Sequence, residues 1–254
     1  PPARPTPTPL APPDGPSIEF FEASPSEIDP GDPITLAWQA AGESATIYYV
    51  VGGVLSEFWE VPLEGTLDLE TPEGARNSLT YMLIVAVGEE TATASLSVAV
   101  RCPDSWFFDN PPDICPAAGG VLTSRGAAQY FEHGMMVWVE ALARIFVLFD
   151  DGVHPHWYIA PDPWQPGLPE SDPAISPPDG YYQPVRGFGM VWREHLVYSV
   201  IVRERLGWAL EPEFEIETAF QCESTVKYSR CFLRGPDGKV ILLEAEMTGW
   251  GPWE

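Results

Sequence analysis

TATASLSVAV, residues 91–100, alternates small polar and apolar side chains without a break. In an extended chain Ala92, Ala94, Leu96, Val98 and Val100 fall on one face, and Thr91, Thr93, Ser95 and Ser97 on the other. A period of two is the pattern of a half-buried antiparallel strand. Upstream, Ile34, Leu36 and Trp38 alternate in the same way with Thr35, Ala37 and Gln39, and Ile47–Val51 and Leu79–Val87 add further strands. Pro-Gly, Gly-Gly and Glu-Gly steps punctuate them. Six or seven short strands within residues 17–101 predict a β-sandwich.

Two runs in this block, FFEASPSEIDPGDPITLAWQAAGESATIYY (20–49) and LETPEGARNSLTYMLIVAVGEETATASLSVAV (69–100), carry a resemblance. The Ala23-Ser24-Pro25 step, Pro30-Gly31 ahead of Ile34–Trp38, and Tyr81 entering a late strand resemble the immunoglobulin-like domains of bacterial secreted proteins. The resemblance implies a sandwich acting as a spacer or interaction module. The block has no internal cysteine pair, so Trp38 is expected to pack on apolar side chains alone.

Residues 102–254 hold eight of the ten tryptophans and all four histidines. Ala128–Leu148 reads as a hairpin. Ala219–Tyr228 followed by Val240–Leu243 is a weaker echo, with Ala128 and Glu132 matching Ala219 and Glu223. Residues 155–184 contain nine prolines together with Trp157, Trp164, Tyr181 and Tyr182, and are expected to form a long ordered loop. Trp192, Leu196, Val200 and Ile201 are spaced for one or two short helices. Leu206-Gly207-Trp208-Ala209 resembles the Leu-Gly-Phe-Pro type of bacterial cell-wall-associated repeat, with Ala209 in place of the proline. The fold class read from the sequence is therefore mainly β. It comprises a proline-rich tail (1–16), an N-terminal immunoglobulin-like β-sandwich (17–101) and a second β-rich domain (102–254) with one or two short helices and long proline-rich loops.

The 254 residues carry 13 Lys and Arg against 37 Asp and Glu, a formal charge of −24. Such a chain is a poor partner for nucleic acid or an anionic membrane surface, since both share its sign. No apolar run is long enough for membrane insertion as a helix. The chain opens on Pro1 rather than Met, as expected of a fragment or of a protein whose leader has been removed. Cys102, Cys115, Cys222 and Cys231 allow three pairings. The local one, Cys102–Cys115 with Cys222–Cys231, closes loops of 12 and 8 intervening residues and is favoured because short loops close most readily. Four reduced thiols are the alternative, and a zinc site lacks the usual Cys-x2-Cys spacing. An even cysteine count beside a proline-rich tail points to an oxidising, extracellular or cell-surface location.

No catalytic motif stands out, and the chain reads as a non-enzyme without cofactor or metal. His154 and His156 share a face near Asp150 and Asp151, but no third metal ligand is fixed by the sequence. Asp150, Asp151, Asp162 and Asp172 read as a solvated acidic rim rather than a calcium loop. Glu211, Glu213, Glu215 and Glu217 alternate with Pro212, Phe214, Ile216 and Thr218, which reads as a strand with one exposed acidic face. Trp157, Trp164, Tyr181 and Tyr182 are the candidate binding residues. They are suited to stacking on sugar rings or gripping a polyproline strand, and core filling is the alternative.

The tail, PPARPTPTPLAPPDGP, has eight prolines in its sixteen residues, so polyproline II is expected. Thr6 and Thr8 are candidate O-glycosylation positions. The resulting expectation is an extracellular structural protein, a self-associating subunit of a surface filament, pilus-like fibre or surface layer. In it the tail docks on a neighbouring copy, so the partners are other copies of the chain. The alternative is a module binding cell-wall or environmental glycan, and a glycan hydrolase comes third.

Overall fold

The computed structural model describes residues 15–225 and 227–253. The expectations for the tail, including Thr6 and Thr8, fall almost wholly outside them. The chain divides into two compact units, with the boundary after Pro103. Both are built mainly of β-strands.

The first unit has eight strands: β1 (Ser17–Ser24), β2 (Glu27–Ile28), β3 (Pro33–Ala41), β4 (Ser44–Val51), β5 (Val54–Val61), β6 (Glu64–Glu70), β7 (Ser78–Val87) and β8 (Glu90–Val100). They form a three-stranded sheet, β1-β3-β6, and a five-stranded sheet, β2-β8-β7-β4-β5. One apolar core joins the two as a β-sandwich. Ile34, Leu36 and Trp38 of β3 pack there with Ile47, Leu79, Tyr81, Leu83, Val85 and Val98. The alternation in β8 is realised as read: Val98 and Val100 are buried while Thr91, Thr93, Ser95 and Ser97 are exposed. Trp38 is 2% exposed, and its indole N–H donates to Pro62 O at 2.8 Å, which lets a polar atom sit in the core without an unmet donor.

The second unit contains β9 (Leu122–Phe131), β10 (Gly134–Val139), β11 (Arg144–Phe149), β12 (Trp157–Pro161), α1 (Arg186–Glu194), β13 (Leu196–Val197), β14 (Val200–Ile201), α2 (Val202–Leu206), β15 (Phe214–Cys222), β16 (Cys231–Arg234), β17 (Val240–Leu243) and β18 (Trp250–Pro252). Eight of its strands form one antiparallel sheet in the order β12-β11-β10-β9-β15-β16-β17-β18. It consists of two four-stranded meanders joined through their first strands. The repeat heard in the sequence falls on this symmetry, since β9 ends just before Glu132 and β15 just before Glu223.

The expected hairpin over Ala128–Leu148 is a three-stranded meander. A tight turn at Glu132-His133 divides it, and Gly134 beyond that turn has φ +130. A Cβ there would sit 1.9 Å from Leu148 O, so only glycine fits. Trp157 likewise belongs to a strand, β12, rather than to the proline-rich loop.

The sheet curls until its far strands approach one another. His156 N donates to Met247 O at 2.9 Å, Trp157 Nε1 to Glu244 O at 2.9 Å, and Trp250 Nε1 to Phe149 O at 2.7 Å. Inside the curl lie Val137, Phe146, Leu148, Leu233 and Leu243. On the outer face of β9–β11, α1 presents Phe188, Val191 and Trp192 at i, i+3 and i+4, the spacing of one buried stripe. Trp208 packs on Trp192, so the Leu206-Gly207-Trp208-Ala209 segment is part of the core rather than a displayed motif. Cys222 and Cys231 are direct partners across β15 and β16 and are disulfide-bonded. Cys102 and Cys115 are disulfide-bonded as well, and no cysteine is free among the described residues.

Candidate functional site

The register of the second sheet builds a cleft on its outer face. Glu215 of β15 faces Ala127 of β9, Ala127 faces Trp138 of β10, and Trp138 faces Ile145 of β11. Side chains opposite one another across antiparallel strands share a face. This row is therefore an acid, a gap left by a methyl group, an indole and an aliphatic. In the neighbouring row Glu217 faces Arg125. On the opposite face Gly126 leaves no room for a side chain, since a Cβ would sit 2.3 Å from Trp138 O and 2.5 Å from Thr218 Cγ2. Asp162 and Trp164, just beyond β12, and the start of α1 at Arg186–Phe188 form the wall. The space enclosed is about 730 Å3, within the range of small-molecule sites.

The polar groups of the wall are tied together. Arg186 donates through Nε to Glu170 at 3.2 Å and through Nη1 to Glu213 at 3.1 Å, and its guanidinium carbon lies 5.8 Å from the Trp164 ring centre. Its backbone N–H donates to Glu170 O at 2.7 Å. Arg186 has φ +50, an uncommon conformation for a non-glycine residue. These contacts hold it there, at a strain cost of order 1–3 kcal/mol. The Asp162 carboxylate accepts from Trp164 N at 3.0 Å. It closes against the α1 backbone, where a Cβ on Gly187 would meet Asp162 Oδ1 at 2.3 Å.

Burial pushes the Glu213 carboxyl above the usual glutamate range, and the charges of Glu170 and Asp162 push it the same way, although Arg186 pulls it down. On the other side Arg125 donates to Glu140 through Nη2 at 2.7 Å and Nε at 3.2 Å. That pair is largely solvated and adds little to stability. The indole N–H groups of Trp138 and Trp164 are both buried without a hydrogen-bond partner among the described residues.

The four aromatic residues chosen from the sequence are not brought together. Trp157 packs against the inner core of the sheet, its N–H spent on Glu244 O. The Tyr181 hydroxyl hydrogen-bonds the Glu132 carboxylate, which raises its pKa above the ordinary tyrosine value. Tyr182 is exposed and bridges to Ala209 through the backbone. Only Trp164 lines the cleft. Trp157 sits on a strand and the other three on irregular segments after it, so their side chains diverge in direction.

The acidic strand keeps its expected exposure at Glu215 and Glu217, and with Glu213 these residues also line the cleft. Their alternation was legible, but not what lies across from them. His154 and His156 have ring centres 6.5 Å apart, and His154 stacks on Tyr198. No group of three metal-ligating side chains occurs among the described residues. Of the acidic rim, Asp151 is paired with Arg205, and Asp172 accepts from Ala174 N.

No family model matches this chain, and no curated protein matches it. Among solved structures the chain is similar to the "Putative phosphatase" from Bacteroides thetaiotaomicron, at 10% identity and a TM-score of 0.27, with 91% of this chain covering 47% of that one. The chain spans about half the length of that structure, and a likeness so distant carries no argument about fold or activity.

Proposed function

We propose that the chain is a saccharide-binding module of a secreted protein. In this reading the first unit is an immunoglobulin-like spacer and the second carries the binding cleft. The observation that supports it is the pairing of Trp138 and Trp164 with carboxylates and guanidinium groups around one space of about 730 Å3. Sugar rings have apolar C–H faces that pack on indole, and hydroxyl rims that donate to carboxylates and accept from N–H groups. The disulfides fit an extracellular setting. The reading is of binding without turnover.

Isothermal titration with a panel of soluble oligosaccharides tests it. Binding is expected for at least one, and Trp164→Ala is expected to weaken it about tenfold or more, roughly 1.4 kcal/mol. Ala127→Leu should abolish it by filling the gap beside Trp138. Binding indifferent to both substitutions would place the site elsewhere.

A second reading is a self-associating subunit of a surface filament, with the proline-rich tail docking on the next copy. Strand β5, at a sheet edge, favours it: Val54 is 68%, Leu55 44% and Phe58 60% exposed. An apolar edge is a template for pairing with another chain. Sedimentation should then show assemblies that are lost on deleting residues 1–13 or on Phe58→Lys. Monomers throughout would end this reading.

A further inference from the structure

We infer that the cleft selects glycans carrying free amino groups, so that its ligand is a cationic, de-N-acetylated hexosamine oligomer. This rests on the saccharide-binding reading and narrows it. The charges around the cleft are unequal. Asp162, Glu213, Glu215 and Glu217 line it against Arg125 and Arg186. Both arginines already face carboxylates. Arg186 is shared between Glu170 and Glu213, and Arg125 is engaged by Glu140. Counting these outer partners, six carboxylates surround two guanidinium groups. Glu215 stands opposite the methyl of Ala127, with Trp138 next in the same row. A sugar lying on that indole would bring a ring substituent over the gap to the Glu215 carboxylate. An ammonium there gains a charged acceptor on one side and an aromatic face on the other, and both attract cations. An N-acetyl group would remove the charge and add bulk, and a carboxylated sugar would meet like charge.

The chain's overall acidity attracts any cation, so the test must separate the cleft from the background. Glucosamine, N-acetylglucosamine and glucose oligomers of equal length are titrated into the full chain at mildly acidic pH. The same titrations are made into Glu215→Gln/Glu217→Gln and into Glu89→Gln/Glu90→Gln, which removes the same charge at the start of β8, in the first unit. The glucosamine oligomer should bind about tenfold tighter than the other two. That preference should collapse in the Glu215/Glu217 variant and persist in the Glu89/Glu90 variant. Equal or tighter binding of the acetylated or neutral oligomer overturns the inference while leaving saccharide binding intact. An equal loss in both variants also overturns it, because the attraction is then general. Binding of none of the oligomers, with none found in the wider panel, removes the saccharide reading itself.

Discussion

Arg205 is 7% exposed, and its charge is paired. Nε and Nη2 each donate to Asp151 at 2.8 Å, Val153 O accepts from Nη2, and the guanidinium carbon lies 3.8 Å from the Phe149 ring centre. Removing one member of such a pair leaves a buried charge without its partner. Asp151→Asn should therefore destabilise the second unit by about 3–5 kcal/mol at neutral pH, read as a fall in its Tm. The Asp151 carboxyl is held below the ordinary aspartate value, first by its hydrogen bonds to Arg205. A depressed native pKa contributes stability that is complete above the ordinary value, about 4, and is lost as pH falls towards the native one. The Tm gap between wild type and Asp151→Asn should thus narrow below about pH 4. A constant gap would mean that the carboxylate charge is not what the pair depends on.

Among the elements, β15 and β16 are joined by the Cys222–Cys231 bond across directly opposed residues. The enclosed loop is short, so the chain-entropy estimate gives about 2–3 kcal/mol. Cys222→Ser/Cys231→Ser should lose that amount in chemical denaturation, and non-reducing peptide mapping should recover the 222–231 linkage from wild type. A mapped 115–222 or 102–231 linkage would reject the local pairing. The strands themselves were legible where one face meets the core and the other meets water, as in β3 and β8. The cleft was not. Its floor joins Glu215 to Trp138 through Ala127, and its wall adds Trp164 and Arg186, so its parts come from distant segments. The sequence shows each residue's local period but not which strand will lie beside it. In the same way Trp157 and Trp164, seven positions apart, end on different sides of one sheet.

At the scale of the molecule, each unit has its own core, and Trp38 belongs wholly to the first. Trp38→Ala removes a fully packed indole and its bond to Pro62 O, at a cost of about 3–5 kcal/mol. Calorimetry should show one transition lowered and the other unmoved. A joint shift would mean that the units melt as one.

The joint between β9 and β15 bears on how the second unit comes into being. Each meander pairs neighbours in sequence, so it closes only short loops and can form early. The β9–β15 ladder must instead bring together strands separated by β10–β14 and both helices, and the cost of closing so long a loop falls on that one step. Until it is made, each half carries a naked edge strand. The cleft straddles this ladder, with Arg125 and Ala127 on one side and Glu215 and Glu217 on the other. No half-folded chain therefore owns a cleft. A ligand that bridges the ladder binds only the completed sheet, and by mass action it holds closed the joint that is slowest to form.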